Sequence, residues 1–421
     1  MYCLLQRPFE RLLNCRKAHF LTTALLFCFL TNFAQISGFN INNQSHRASF
    51  PFELINNLIV VKVVINDTNE LNFILDTGVK VTLLTDNTIT NFDLSKCRAV
   101  NIIGAGAMNF VEAFVVNQIH FELPGITSER LSLVVLKEDY LHLQNHLGME
   151  IHGILGYDFF NQFVVKIDYV RKMVTVYDPD TFKPKKSYTS GDIMIDHGRP
   201  YIQANIVQHN KSHVKAKLLI DTGASHSIML ETDSDSTISV PEKNVETIVG
   251  WGLGGELQGK LGRIDSLHIY GFNFSDVLCM FTSDFGMNIL DKIPNRKGSI
   301  GGDILNRFSV IFDYQNNKVY FHRNSNFKKE FTSNMSGIDL IASGTNFKLF
   351  KVIHIIPDSP ADQAGVKIDD IILSINGQMI NEMTIQEVNG FFRSREKSKI
   401  KLIILRDQSI ISTGFRLKKL I

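Results

Sequence analysis

Asp76 and Asp221 each open an Asp-Thr-Gly tripeptide, and each follows apolar residues, LNFIL before Asp76 and LLI before Asp221. Each apolar run reads as a strand and each tripeptide as the tight turn that ends it. One such tripeptide is weak evidence; two in the same strand–turn context are hard to assign to chance. The chemistry asks for a pair. Two carboxyls brought close together cannot both ionise cheaply, so they hold one proton between them. One is then a base toward water while the other donates to a carbonyl oxygen. Gly78 and Gly223 let the backbone turn sharply beside the carboxyls. The hydroxyls of Thr77 and Thr222 are available to brace the turns from below.

The elements that must position this pair are themselves paired. The two aspartates are 145 residues apart (221 − 76), and the same offset relates residues 153–174 to residues 298–319. Gly153/Gly298, Gly156/Gly301, Asp158/Asp303, Asn161/Asn306, Phe163/Phe308, Asp168/Asp313 and Tyr169/Tyr314 are among the identities. An internal duplication of this kind predicts two lobes about a pseudo-two-fold axis, which would set the two aspartates face to face.

On these residues the chain resembles a pepsin/retropepsin-type aspartic protease in single-chain, two-lobe form, over residues 50–325. The resemblance implies that Ile154-Leu155-Gly156 and Ser299-Ile300-Gly301 cross under the strands carrying the aspartates. It implies two Gly-rich flaps that bind substrate. One is Ile102-Ile103-Gly104-Ala105-Gly106; the other is residues 249–255, with Trp251 and Gly252. The lobes look more retroviral than pepsin-like, because they are short and Val79 or Ala224 follows Asp-Thr-Gly. Without a hydroxyl there, the carboxyls should titrate higher than in pepsin-like sites. The Asp–Arg ion pair common in retroviral enzymes is missing: Lys80 and Ser225 occupy the acid positions, Tyr157 and Gly302 the Arg positions. Lys80 is expected to turn its ammonium to solvent, because burial would cost heavily.

Residues 336–421 resemble a PDZ domain of the bacterial secreted-protease type, on KVIHIIPDSPADQAGVKIDDIILSINGQMI from Lys351. The resemblance implies a carboxylate-binding loop and edge strand at Ser336–Leu340. Gly337, Ile338 and Leu340 would take a peptide as an added strand.

The remaining chain adds context. Four basic residues, Arg7, Arg11, Arg16 and Lys17, precede the short apolar run Phe20–Leu30, a secretory signal pattern with cleavage expected after Ala34. That implies an extracytoplasmic protein, periplasmic or secreted, with no membrane span once the signal is removed. Net charge is +2 over 421 residues, which gives no footprint for nucleic acid. Beyond the leader only Cys97 and Cys279 remain, expected as free thiols rather than a bridge. His142/His146 and His209/His213 have helical spacing but lack the Glu of a metalloprotease helix, so no metal or other cofactor is expected. Gly250, Gly252 and Gly255 match a dinucleotide fingerprint, which is rejected because no helical pattern follows. Asp158 and Asp303 are expected to cap the helical turns beside them. Residues 140–149 are read as a short polar connector and 179–191 as a polar linker.

The expected fold is mainly β: two pseudo-symmetric retropepsin-like β-barrel lobes, 48–180 and 190–325, and an α/β PDZ domain, 334–421. The expected function is an aspartic endopeptidase acting as a monomer, with Asp76 and Asp221 activating water and the PDZ domain binding peptide or protein termini. The rival is an inactive adaptor in which lobes and PDZ domain only recognise peptide.

Overall fold

Every side chain of the Leu71–Leu75 strand is buried, so this strand must be covered on both faces. The cover explains the repeat. Gly153–Leu155 pairs in parallel with Leu71–Leu75 on one side and antiparallel with Leu83–Leu84 on the other. In the second lobe Arg296–Ile300 inserts in the same way between His213–Ile220 and Ile228–Glu231. The repeat keeps Gly at 153 and 298 because nothing larger fits the crossing. A Cβ on Gly153 would meet the Leu83 oxygen at 2.4 Å, and one on Gly298 the Met229 oxygen at 1.9 Å.

A computed structural model describes residues 38–66, 68, 70–90, 92–102, 104, 106, 110–283 and 294–421. The leader read at residues 1–34 lies outside these, as do Ile103 and Ala105 of the first Gly-rich hairpin. Residues 39–421 form one compact unit, and it is mainly β. In the first lobe the strands Ile126–Leu136, Leu83–Leu84, Gly153–Leu155, Leu71–Leu75, Leu58–Ile65 and Val111–Leu123 lie in that order, and the last also pairs with the first. The second lobe repeats the order with Phe272–Thr282, Ile228–Glu231, Arg296–Ile300, His213–Ile220, Arg199–Val207 and Gly255–Ile269.

The two lobes share a six-stranded antiparallel sheet at whose centre Val164–Asp168 pairs with Phe308–Asp313. Val165 faces Phe312 and Ile167 faces Val310. Shifted by the repeat, Phe312 is the counterpart of Ile167, and Val310 of Val165. Each pair is thus the other turned about a two-fold axis, the signature of a self-complementary interface. One hydrophobic core runs through both lobes and this sheet, with Phe50, Phe159, Phe160, Phe308 and Phe312 fully buried in it. The linker contributes more than expected: Thr189–Asp192 is an edge strand of the shared sheet, and Phe182 packs on Tyr177 and Tyr320.

The C-terminal domain has its own core. Its sheet runs Ile338–Ser343, Leu349–Ile355, Ile371–Ile375, Lys399–Arg406, Ser409–Arg416. Local chemistry starts its helices. Ser359 accepts from the Asp362 amide before Pro360–Gln363, and Thr384 with Glu387 forms a capping box before Ile385–Phe392.

The connector at residues 140–149 is corrected. It holds a helix, Leu143–Leu147, whose Leu147 is buried and which packs against the edge strand Ile338–Ser343. A helix this short has too few apolar residues for a period to be read. Cys97 and Cys279 are both free.

Candidate active site

The parallel pairing delivers both aspartates to equivalent points. The Asp76 amide donates to Leu155 O and the Asp221 amide to Ile300 O, each at 2.9 Å, and Leu155 and Ile300 are repeat counterparts. The two carboxyls lie side by side: a Cβ on Gly78 would meet an oxygen of each at the same distance, 3.1 Å. Each also closes its own turn: Gly78 N donates to Asp76 Oδ1 at 2.6 Å and Gly223 N to Asp221 Oδ1 at 2.9 Å. Neither Val79 nor Ala224 adds a hydroxyl.

Below the carboxyls the two threonines form a reciprocal lock. Thr77 N donates to Thr222 Oγ1 and Thr222 N to Thr77 Oγ1, both at 3.0 Å. Thr77 Oγ1 then donates to Ile220 O at 2.6 Å and Thr222 Oγ1 to Leu75 O at 2.8 Å. Both side chains are fully buried. Each hydroxyl therefore accepts from the opposite turn and donates to the strand that enters it, fixing the spacing of the two turns.

Burial, and then repulsion from Asp221, hold the Asp76 carboxyl well above the usual carboxylate range. Burial also raises Asp221, but there the Gly223 amide and the nearby Arg296 guanidinium favour the charged form. Arg296 is buried and paired with Glu231 Oε1 at 3.1 Å. Burial thus raises both carboxyls, and Asp76 the further of the two.

The glycines are not equivalent. A Cβ on Gly223 would lie 2.1 Å from Asp76 Oδ2, whereas one on Gly78 would lie 3.1 Å from the nearest carboxyl oxygens. Each lobe also reaches onto the other's turn. Arg199 Nε donates to Gly78 O at 2.8 Å, and its charge favours ionisation of both carboxyls. Asn57 Nδ2 donates to Ser225 O at 3.0 Å and its Oδ1 accepts from Asn306 Nδ2 at 2.7 Å. Sequence reasoning missed Arg199, Arg296 and Asn57. The repeat hides Arg199 and Arg296, whose counterparts are Leu54 and Ile151.

Asp158 and Asp303 do not cap their own helices, a second correction. The residues before Tyr157–Gln162 and Gly302–Leu305 are Gly156 and Gly301, which make no side-chain cap. Asp158 instead accepts from Thr82 N at 3.0 Å, and Asp303 accepts from the hydroxyl of Ser227, the counterpart of Thr82. Each acid so ties its helix to the chain just beyond Asp-Thr-Gly. Lys80 is half-buried.

The second Gly-rich hairpin pairs Val245–Gly252 with Gly255–Ile269, with Gly252 facing Gly255 across the turn. It meets the first hairpin at the tips: a Cβ on Gly104 would touch Leu253 at 2.9 Å, and one on Gly106 the Gly255 oxygen at 3.1 Å. Trp251 is 38% exposed and packs on His146 of the Leu143–Leu147 helix, ring centroids 4.2 Å apart and planes tilted by 33°. In the C-terminal domain Ile338 and Leu340 are buried in the core. The Ile338 amide donates to Ser336 Oγ at 3.1 Å, and Gly337 packs against Ser359.

Residues 61–159 and 203–304 match a family model described as aspartyl protease, and residues 352–406 match a PDZ domain model. No curated protein matches the chain.

Proposed function

Because the chain combines an aspartyl protease domain in two segments with a C-terminal PDZ domain, we propose that it is an aspartic endopeptidase whose PDZ domain engages peptide or protein segments. The observation that carries this reading is the juxtaposed Asp76 and Asp221 carboxyls, whose turns are held by the reciprocal threonine lock. In the reaction Asp221 is the ionised base. It takes a proton from a water seated between the carboxyls, and the water oxygen attacks the scissile carbonyl carbon. Asp76 donates its proton to the carbonyl oxygen, giving a neutral tetrahedral diol. Collapse of the diol returns a proton to the departing amine and restores the singly protonated pair. The hairpins bearing Gly104, Gly106, Trp251 and Gly252 act as flaps that cover the substrate and exclude water.

Both halves of the site come from one chain, so the enzyme acts as a monomer and its specific activity should hold on dilution. The basic and apolar leader supports an extracytoplasmic, periplasmic or secreted, location. The test is cleavage profiling of a whole proteome digest by purified protein beside Asp76→Asn and Asp221→Asn. New termini made by the wild type and by neither variant are expected. The same termini from either variant would remove the dyad from the mechanism.

A further inference from the structure

Among the described residues the edge strand of the PDZ sheet, Ile338–Ser343, is paired along one side only, with Leu349–Ile355. A peptide that adds to a sheet edge takes the hydrogen bonds of the free side. Here part of that side is already taken by the first lobe. Asn145 Nδ2 donates to Ala342 O at 2.9 Å, a bond that an added strand's amide would otherwise make. Gly148, which ends the Leu143–Leu147 helix, lies between Ala342 on the edge strand and Ile385 at the start of the Ile385–Phe392 helix. The protease lobe thus fills the space between edge strand and helix.

The same helix supports the second Gly-rich hairpin. Its His146 carries Trp251, and lower on the hairpin Thr247 Oγ1 donates to Asp339 Oδ2 of the edge strand at 3.3 Å. The hairpin is therefore tied near its tip to the helix and near its base to the PDZ edge. Its tip closes on the first hairpin at Leu253.

We propose that the Leu143–Gly148 segment is an internal occupant of the PDZ edge, and that this contact latches the second hairpin shut. An extended polypeptide segment adding to Ile338–Ser343 must displace Asn145 and Gly148. The helix that bears His146 moves with them, Trp251 loses its support, and the hairpin opens to substrate. The inference rests on the reading of the dyad as a peptidase and the hairpin as its flap. Its structural half is measurable without catalysis.

The test uses the full chain. A Cβ on Gly148 would lie 3.5 Å from the Ile385 Cβ, within the roughly 3.5–4.5 Å that a disulfide spans. Gly148→Cys/Ile385→Cys, with Cys97→Ser to prevent mispairing, is compared with itself oxidised and reduced, so any strain at position 148 cancels. Asn145→Asp perturbs the contact in the opposite sense with Gly148 intact, by setting a carboxylate against the Ala342 carbonyl. Deuterium uptake of residues 245–262 is followed in the Asp221→Asn background. Hydrolysis of labelled casein is followed in active chains. Oxidation should slow uptake and hydrolysis by about five-fold or more, and Asn145→Asp should speed both, the low end of usual coupling between sites. Equal uptake in oxidised and reduced chains, and in Asn145→Asp and its parent, would overturn the latch. Casein left intact by every chain would count against the peptidase reading, with uptake still deciding the latch.

Discussion

Thr77→Val tests whether the threonine lock holds the two turns together. Valine keeps the shape of threonine and loses the hydroxyl. The Thr222 amide then loses its acceptor in a fully buried site, and Ile220 O loses the donor at 2.6 Å. A stranded buried donor costs about 1–3 kcal/mol, and the loss of one ordinary hydrogen bond about 0.5–1.5 kcal/mol. The sum is about 1.5–4.5 kcal/mol. The lobes share one core and should melt together. At about 2 °C per kcal/mol for a unit of this size, the midpoint should fall by about 3–9 °C. Thr77→Ser keeps the hydroxyl and loses one methyl, worth about 0.8 kcal/mol in transfer terms. Differential scanning fluorimetry of the three proteins at one pH reads the difference. Peptide hydrolysis by Thr77→Val should fall about 100-fold, because misplacing a reacting group by about 1 Å has that effect. If the serine and valine variants melt together and hydrolyse alike, the hydroxyl bonds do not hold the site.

Three further outcomes follow from the same geometry. Because the Asp76 pKa is raised by folding, its stability contribution is full below the unfolded value, about pH 4, and is lost as pH rises through the folded value. Asp76→Asn should therefore melt above the wild type at pH 7 and level with it near pH 3; a constant offset across that range refutes the assignment. Gly223→Ala, whose Cβ would collide with Asp76 Oδ2, should cost roughly 100-fold or more in kcat, and Gly78→Ala at least ten-fold less than that; equal losses would show that the close approach is not what demands glycine. Arg199→Met removes a cation that lowers both carboxyls, so the acidic limb of the pH–rate profile should move to higher pH, with Arg199→Lys between; an unmoved limb would reduce Arg199 to its bond with Gly78 O.

The aspartate pair, the lobe duplication and the crossing strands were legible in the sequence because each is written locally and then written again. Apolar residues ending in Asp-Thr-Gly specify strand and turn, and the 145-residue offset repeats Gly153 as Gly298 and Leu155 as Ile300. The start of the first PDZ helix was legible in Ser359-Pro360, whose cap needs only nearby residues, whereas the capping box of Thr384 with Glu387 emerged with the structure. Tertiary structure alone decided the rest. Arg199 on Gly78 O, Asn57 on Ser225 O and Asp158 on the Thr82 amide join residues 76 or more positions apart, with no period to mark them. The Leu143–Leu147 helix is too short to carry a pattern, and its meeting with Trp251 and the PDZ edge depends on how surfaces from both lobes and the PDZ domain pack. Local chemistry chooses strands, turns and caps; which side chain lands across a lobe boundary is set by the packing of whole sheets.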